Sequence, residues 1–465
     1  MKIADFNGFL EFREETFPFS FSKNKITIHP TNIDKWNELY DDWFHKDFNK
    51  KNKKWLNKII IDGITDKHKG VKFFVTDNPR YFNGYYTYSV DYMYIYDINR
   101  ETNDMYDIKG IRFKGPEINY FYNVKDYIAF DFETKNNSFD RFYLELKSKK
   151  DKDFGKFRWH NYSVTIKGSF SWKKGNDTYE PLEINSLLVL ELSRSCNDLK
   201  KIIELINIQK IVMFFSCYRR NINFSEINTY CYTEDNLRRQ IGNFYIFEDN
   251  YLENDKKILK QIIAINDTDK FYSKLYRLSV DNKIYTTHIC SDDHDRNLYT
   301  PARILSIIIA FEHSFKIFYP DIEIQSSEFN IAKNKILNFI NGQMNESSGK
   351  LKKKYKNIKN SVQKIDVSYG EHLKYALNDN YTNLKEFIGK RYAVKNPKLI
   401  ISSCCNRVNT IRNQIAHGKL DLKYKPINSN DIYLIELLLY SMTLKYIGLD
   451  EKTIKEKIKC LFNII

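Results

Sequence analysis

Residues 86–96 read YTYSVDYMYIY. Tyr86, Tyr88, Val90, Tyr92, Tyr94 and Tyr96 stand at every second position, with Thr87, Ser89, Asp91, Met93 and Ile95 between them. Successive side chains of an extended chain point to opposite faces, so this period predicts a strand with one aromatic face. Shorter runs of the same kind follow at 127–132, 142–146 and 162–166, separated by clusters of Gly, Asn, Asp and Lys. Strands at that spacing predict an antiparallel sheet or sandwich. A helix is expected to interrupt them at 197–208, where Leu199, Ile202, Ile203 and Ile206 recur, and strands are expected again at 211–218 and 227–232. The aromatic face of 86–96 has two readings, a core-packing surface or a platform for stacking bases, and packing is the commoner role of such a face.

Near residue 285 the pattern changes from strands to helices. Thr300 followed by Pro301 is an N-cap with proline in the first helical position. The helix it opens carries Ile304, Ile307, Ile308, Phe311 and Phe315 and stops before Pro320. A second helix is expected from about Phe329, leading into KLKKKYKNIK (350–359), whose six lysines read as a solvated linker or helix end. Another is expected over 371–388. Asn396 and Pro397 repeat the cap signal for a helix ending at Gly418, and Ser429 or Asn430 is expected to cap a last helix reaching Gly448. Four or five helices with apolar faces and short connections predict a bundle. The fold class is therefore α+β, with a β-rich domain over 1–280, a helical domain over 285–465 and the boundary at 275–298.

A length of 465 residues suits two or three domains. Hydrophobic residues at 42% and aromatics at 15% exclude wholesale disorder. The net charge of +15 fits either a lysine-rich solvated surface or an anionic partner such as nucleic acid. The start, MKIADFNGFLEF, lacks the apolar core of a signal peptide. The most apolar runs, ILSIIIAF (304–311) and IYLIELLLY (432–440), fall short of the roughly 20 residues that span a bilayer, and Glu436 interrupts the second. Seven cysteines without a CxxC pair fit neither a disulfide framework nor a zinc ribbon. These features together predict a cytoplasmic protein with no membrane partner.

Common catalytic signatures are absent: there is no GxSxG and no HExxH. GIRFKG (110–115) has the glycine spacing of a P-loop but is followed by Pro116 and Glu117, so it lacks the phosphate-binding lysine and the magnesium-binding hydroxyl. His288, Cys290, Asp292 and His294 match no recurrent metal-ligand spacing, and no metal or cofactor is expected. The informative segment is Ile411-Arg412-Asn413-Gln414-Ile415-Ala416-His417-Gly418. At 100° per residue, Ile400, Cys404, Val408, Ile411 and Ile415 form one stripe facing the core. Asn413 and His417 then lie together on roughly the opposite side, with Arg412 on the flank. His417 falls in the last turn, beside the helix's carbonyl end, where a cation is favoured. Arg412 can hold a phosphate bidentately, and Asn413 can bond phosphate or orient the imidazole.

On these residues the C-terminal region resembles HEPN domains, whose Arg-x4–6-His motif sits on the penultimate helix of a bundle. An Asn directly after the Arg is the form common in HEPN ribonucleases. The N-terminal region, with IRFKGPEINYFY (111–122) after an aromatic-rich β segment, resembles the N-terminal domain of ApeA-type anti-phage HEPN proteins. The two resemblances cover nearly the whole chain. Glu312, on the first bundle helix, stands where some HEPN families place a supporting polar residue.

The resemblance implies a metal-independent endoribonuclease in which the 2′-hydroxyl attacks the adjacent phosphate, leaving a 2′,3′-cyclic phosphate and a 5′-hydroxyl. Arg412, Asn413 and His417 would be its catalytic residues. One chain offers one such histidine, so a homodimer pairing this helix would supply both the acid and the base. It further implies an RNA substrate, with tRNA loops as one class, a phage-derived trigger and a role in abortive infection. Lys350, Lys352, Lys353 and Lys354 are expected to help hold the RNA. The alternative is a non-catalytic HEPN module that binds RNA or protein.

Overall fold

The computed structural model describes residues 4–12, 15–29, 34, 59–75, 80–82, 85–99, 101–102, 104–123, 128–135, 138–146, 151–174, 182–248, 253–265, 269–322, 327–363, 369–418 and 426–464. The chain divides into two units, Met1–Asp281 with Ser291–Asp293, and Asn282–Cys290 with His294–Ile465. The first unit is β-rich and the second all-helical, so the protein is α+β.

The strands of the first unit are β1 (Phe6–Phe12), β2 (Glu15–Ser22), β3 (Lys25–Ile28), β4 (Ile59–Thr65), β5 (Gly70–Val75), β6 (Arg80–Phe82), β7 (Tyr85–Tyr96) and β8 (Ile108–Lys114). They continue with β9 (Ile128–Lys135), β10 (Ser138–Leu146), β11 (Lys152–Trp159), β12 (Tyr162–Lys174), β13 (Leu182–Cys196), β14 (Glu226–Tyr232) and β15 (Arg238–Ile246). Pairing runs β11-β12-β13-β8-β14-β15-β7-β3-β2-β1-β4-β5, and β5 returns to pair with β7. Six strands therefore close into a barrel, and β7 is shared between that barrel and an open sheet ending at β11. The strands expected at 127–132 and 142–146 fall in β9 and β10, which pair with each other, while residue 127 lies outside the described residues.

The aromatic face of β7 is core. Tyr86, Tyr88, Val90, Tyr92, Tyr94 and Tyr96 are all buried, and so is Met93 from the other face. Tyr86, Tyr88 and Val90 join Leu10, Phe19 and Phe73 in the core cluster of the barrel. Tyr94 stacks on Phe244 with ring centroids 4.4 Å apart, and its hydroxyl shares a 2.8 Å hydrogen bond with Thr229. Rings so enclosed are closed to bases.

Among the described residues, four helices belong to this unit: α1 (Pro116–Phe121), α2 (Leu199–Cys217), α3 (Lys256–Leu259) and α4 (Asp269–Val280). Asp198 caps α2, its carboxylate accepting from the backbone N–H groups of Lys200 and Lys201. The expected strand at 211–218 is instead the second half of this helix. Ile211 to Phe215 is a continuous apolar run in which only Met213 is neither β-branched nor aromatic, which reads as a strand. α2 is buried on most of its circumference, so no helical period shows in it. The Pro116-Glu117 pair that spoils the P-loop spacing has a structural role. Pro116 opens α1, and Glu117 in its first turn makes a fully buried ion pair with Arg219 at 2.9 Å.

One face of the open sheet carries a polar network. Glu191 on β13 accepts from Lys167 Nζ at 2.8 Å, from Tyr230 at 2.9 Å and from Tyr232 at 2.8 Å. Burial alone would push its carboxyl up, but these three donors outweigh it and hold it down to about 2. A carboxyl ionised more readily in the folded than in the unfolded chain stabilises the fold above its ordinary value near 4.5 and loses that contribution as pH falls toward 2. The urea midpoint of the wild type is accordingly expected to fall more steeply across that window than the midpoint of Glu191→Gln. Parallel curves would remove Glu191 from the acid response.

Among its described residues the second unit holds eight α-helices, α5 (Pro301–Phe318), α6 (Ser327–Glu346), α7 (Gly349–Gln363), α8 (Tyr369–Asp379), α9 (Tyr381–Tyr392), α10 (Lys398–Ala416), α11 (Pro426–Ile447) and α12 (Glu451–Phe462), where four or five were expected. Thr300 caps α5 as predicted, accepting from Arg303 N at 3.3 Å. The lysine-rich 350–359 stretch lies within α7, a 15-residue helix without a buried residue. Leu351, Tyr355, Ile358 and Val362 follow one another at helical spacing and give α7 an apolar side, and α7 packs against α6.

The helix expected over 371–388 breaks at Asn380, whose buried side chain donates to Ala376 O at 2.9 Å and accepts from Ser441 at 2.8 Å. Ser429 and Asn430 lie inside α11, which starts at Pro426. A further helix, α12, follows it, capped by Asp450. Glu436, the carboxylate in the apolar run, pairs with Arg303 at 2.8 Å and accepts from Tyr299 at 2.7 Å, tying α11 to α5. No helix among the described residues is long and apolar enough to cross a membrane.

Candidate active site

α10 carries the Arg412–His417 segment and is the third helix from the end of the bundle rather than the penultimate one. Its first turn begins one residue after Pro397, with Asn396 Oδ1 accepting from Lys398 N at 3.3 Å. Ile401, Cys404, Cys405, Val408, Ile411 and Ile415 are buried against the bundle. The expected stripe is thus in place, except that Ile400 is only partly buried and Ile401 and Cys405 are buried beside it.

A buried clamp sets the rotation of this helix. Asp431 on α11 has no exposed surface, and Arg407 grips it bidentately through Nε at 2.7 Å and Nη2 at 2.8 Å. Tyr392, at the end of α9, adds a 2.6 Å hydrogen bond to the same carboxylate. With Arg407 drawn toward α11 and the apolar stripe inward, the side holding Asn413 and His417 faces solvent.

Arg412 reaches Glu312 Oε1 on α5 at 3.4 Å, and its other terminal nitrogen lies 3.4 Å from Asn413 Oδ1. The Arg412 and Glu312 side chains are 41% and 36% exposed, which places the pair among exposed ion pairs worth up to about 1 kcal/mol. An incoming oxyanion can displace so weak a partner. His417 caps the helix, its backbone N–H bonded to Asn413 O at 3.0 Å, and Gly418 follows at φ +75, the left-handed conformation that ends the helix. Its imidazole is exposed and makes no hydrogen bond or ion pair among the described residues.

The structure thus brings Arg412, Asn413 and Glu312 into contact and sets His417 one turn beyond Asn413 on the exposed side of α10. It does not join Lys350, Lys352, Lys353 or Lys354 to them by any contact among the described residues. Those four are exposed on α7. No group of three or more His, Cys, Asp or Glu side chains is placed to hold a metal among the described residues.

Sequence reasoning missed Asp431, Arg407 and Tyr392, although an aspartate at the head of the apolar run 432–440 was a signal. It also missed Tyr369 on α8, whose buried hydroxyl has no hydrogen-bond partner among the described residues and whose ring meets Phe311 edge-on at 5.3 Å. Burial pushes that phenol well above its usual range, and Glu312 adds to the effect. The mixture of carboxylate, guanidinium and exposed imidazole can bind an oxyanion and exchange a proton with it.

Comparisons of the chain with protein-family models, with curated proteins and with solved structures return no match.

Replacing Arg407 by alanine leaves the Asp431 carboxylate buried and without its guanidinium, a change expected to cost about 3–5 kcal/mol. Equilibrium unfolding in urea measures it, and a loss below about 1 kcal/mol would mean that the apolar stripe alone holds α10 in place.

Proposed function

We propose that the protein is a metal-independent endoribonuclease of the HEPN class, acting on RNA by 2′-hydroxyl attack. The observation that carries this reading is that Asn413 and His417 are exposed and Arg412 partly exposed at one end of α10 while the opposite side of the helix is buried. Transesterification needs a base for the 2′-hydroxyl, an acid for the departing 5′-oxygen and a cation for the charge of the pentacoordinate phosphate. His417 supplies the proton transfers and Arg412 the cation, with Asn413 and Glu312 orienting the guanidinium. A single imidazole cannot be base and acid at once on opposite sides of the phosphate. The active form in this reading is a homodimer in which two copies of α10 face one groove. RNA with unstacked loops, such as tRNA, is the expected substrate class, because splayed nucleotides reach the in-line geometry. Anti-phage defence through abortive infection, released by a phage-derived trigger, is the expected biological setting.

A second reading is a non-catalytic bundle that binds RNA or protein. The Glu312–Arg412 contact favours it, since a guanidinium already paired can have a purely structural role.

Purified protein incubated with total bacterial RNA in EDTA separates the two. The wild type is expected to leave 2′,3′-cyclic phosphate ends, and His417→Ala and Arg412→Ala to leave the RNA intact while unfolding at the wild-type midpoint. Cleavage by His417→Ala at the wild-type rate would sink the assignment. Ile411→Ala, on the buried side, is expected instead to cost about 2–5 kcal/mol of stability, read from urea unfolding, through the cavity it leaves.

A further inference from the structure

Around the Tyr230 ring, the described side chains hold one cation more than their carboxylates pair with. Register sets Gly110 of β8 between Glu191 on β13 and Tyr230 on β14, and Arg112 between Val189 and Asn228. Gly110 lets the Tyr230 ring cross β8: a Cβ there would lie 2.5 Å from the Tyr230 hydroxyl. The ring so placed is fully buried, and two guanidinium groups lie against it, Arg112 at 4.8 Å and Arg238 at 5.3 Å from its centroid.

The charges around this ring are unequally matched. Arg238 pairs with Asp151 and, at 3.3 Å, with Glu191, and Lys167 pairs with Glu191 at 2.8 Å. Arg112 has neither an ion pair nor a hydrogen bond among the described residues. Three cations thus face two carboxylates. A partly buried guanidinium beside a second one is costly until an anion joins them. The network also borders open space. Tyr232, which donates to Glu191, also lines an open depression of about 550 Å³ with Tyr106, Asp107, Lys109, Ser195 and Cys231, and Arg112 is not one of its lining residues.

We propose that this face of the β-rich unit binds a small ligand through an oxyanion, with Arg112 as its anchor. The planar fork of the guanidinium fits a phosphate or a carboxylate bidentately, and its other face stays stacked on Tyr230. The site lies wholly in the first unit, so it stands or falls independently of RNA cleavage.

Isothermal titration of the full-length protein with inorganic phosphate, AMP and citrate tests the proposal. Saturable binding of at least one probe is expected, weakened tenfold or more in Arg112→Gln and unchanged in Arg158→Gln, which removes an exposed arginine of the same unit. Arg112→Lys keeps the charge without the fork and is expected to bind more weakly than wild type and more tightly than Arg112→Gln. Phosphate and AMP without citrate would identify a phosphorylated ligand, and citrate alone a carboxylate. Because Arg112→Gln removes an unpaired charge, its unfolding midpoint is expected to match or exceed the wild type's. No binding of any probe to the wild type, or equal binding by Arg112→Gln, would overturn the site.

Discussion

The grip of Arg407 on the buried Asp431 carboxylate is the contact on which the candidate site depends. An apolar stripe fixes which side of a helix is inward only to within the width of the stripe, which covers more than a quarter of the circumference. A bidentate guanidinium–carboxylate pair has a direction and a distance. By holding α10 to α11 at Arg407, with Tyr392 from α9 on the same carboxylate, the bundle sets α10's rotation and so the direction in which Arg412, Asn413 and His417 point. The α5–α11 contact through Arg303 and Glu436 does the same for the helix that brings Glu312 to Arg412. Two ion pairs on buried carboxylates thus position a third that is exposed and weak. The third is the one weak enough to exchange its partner for an oxyanion.

The first unit is built around a different constraint, the size of its aromatic rings. Tyrosines on one face of β7 fill the barrel and the junction with the open sheet, while on the other face Thr87, Ser89, Asp91 and Ile95 stay at least partly exposed and Met93 alone is buried. Across the sheet, the missing side chain at Gly110 gives Tyr230 its path to Glu191, and that phenol then becomes the surface against which two arginines rest. Packing and electrostatics are linked there through a single glycine.

Much of this was legible in the chain. The period of two at 86–96 named the buried face of β7 residue by residue, because a strand half buried in a core has to alternate. Thr300-Pro301 marked the start of α5, and the stripe through Cys404, Val408, Ile411 and Ile415 identified both sides of α10. The failures have physical causes. Residues 211–217 are helical although their composition suits a strand, since a helix buried all round shows no period. Asn380 ends a helix by turning its side chain back on Ala376, a local bond that no apolar pattern announces. The lysines of α7 masked its apolar side, although lysine itself favours helix.

Local chemistry was enough for the sequence to determine the α+β class, the aromatic strand, the caps and the polar residues that lie off the core of α10, since each follows from period, turn and charge within a few residues. Pairings between residues far apart were decided by tertiary structure alone. Glu312 meets Arg412, Asp431 meets Arg407, and Glu191 gathers Lys167, Tyr230 and Tyr232 only once the chain has closed. A side chain's neighbours across a hundred residues depend on the register of strands and the rotation of helices, and no local periodicity encodes either.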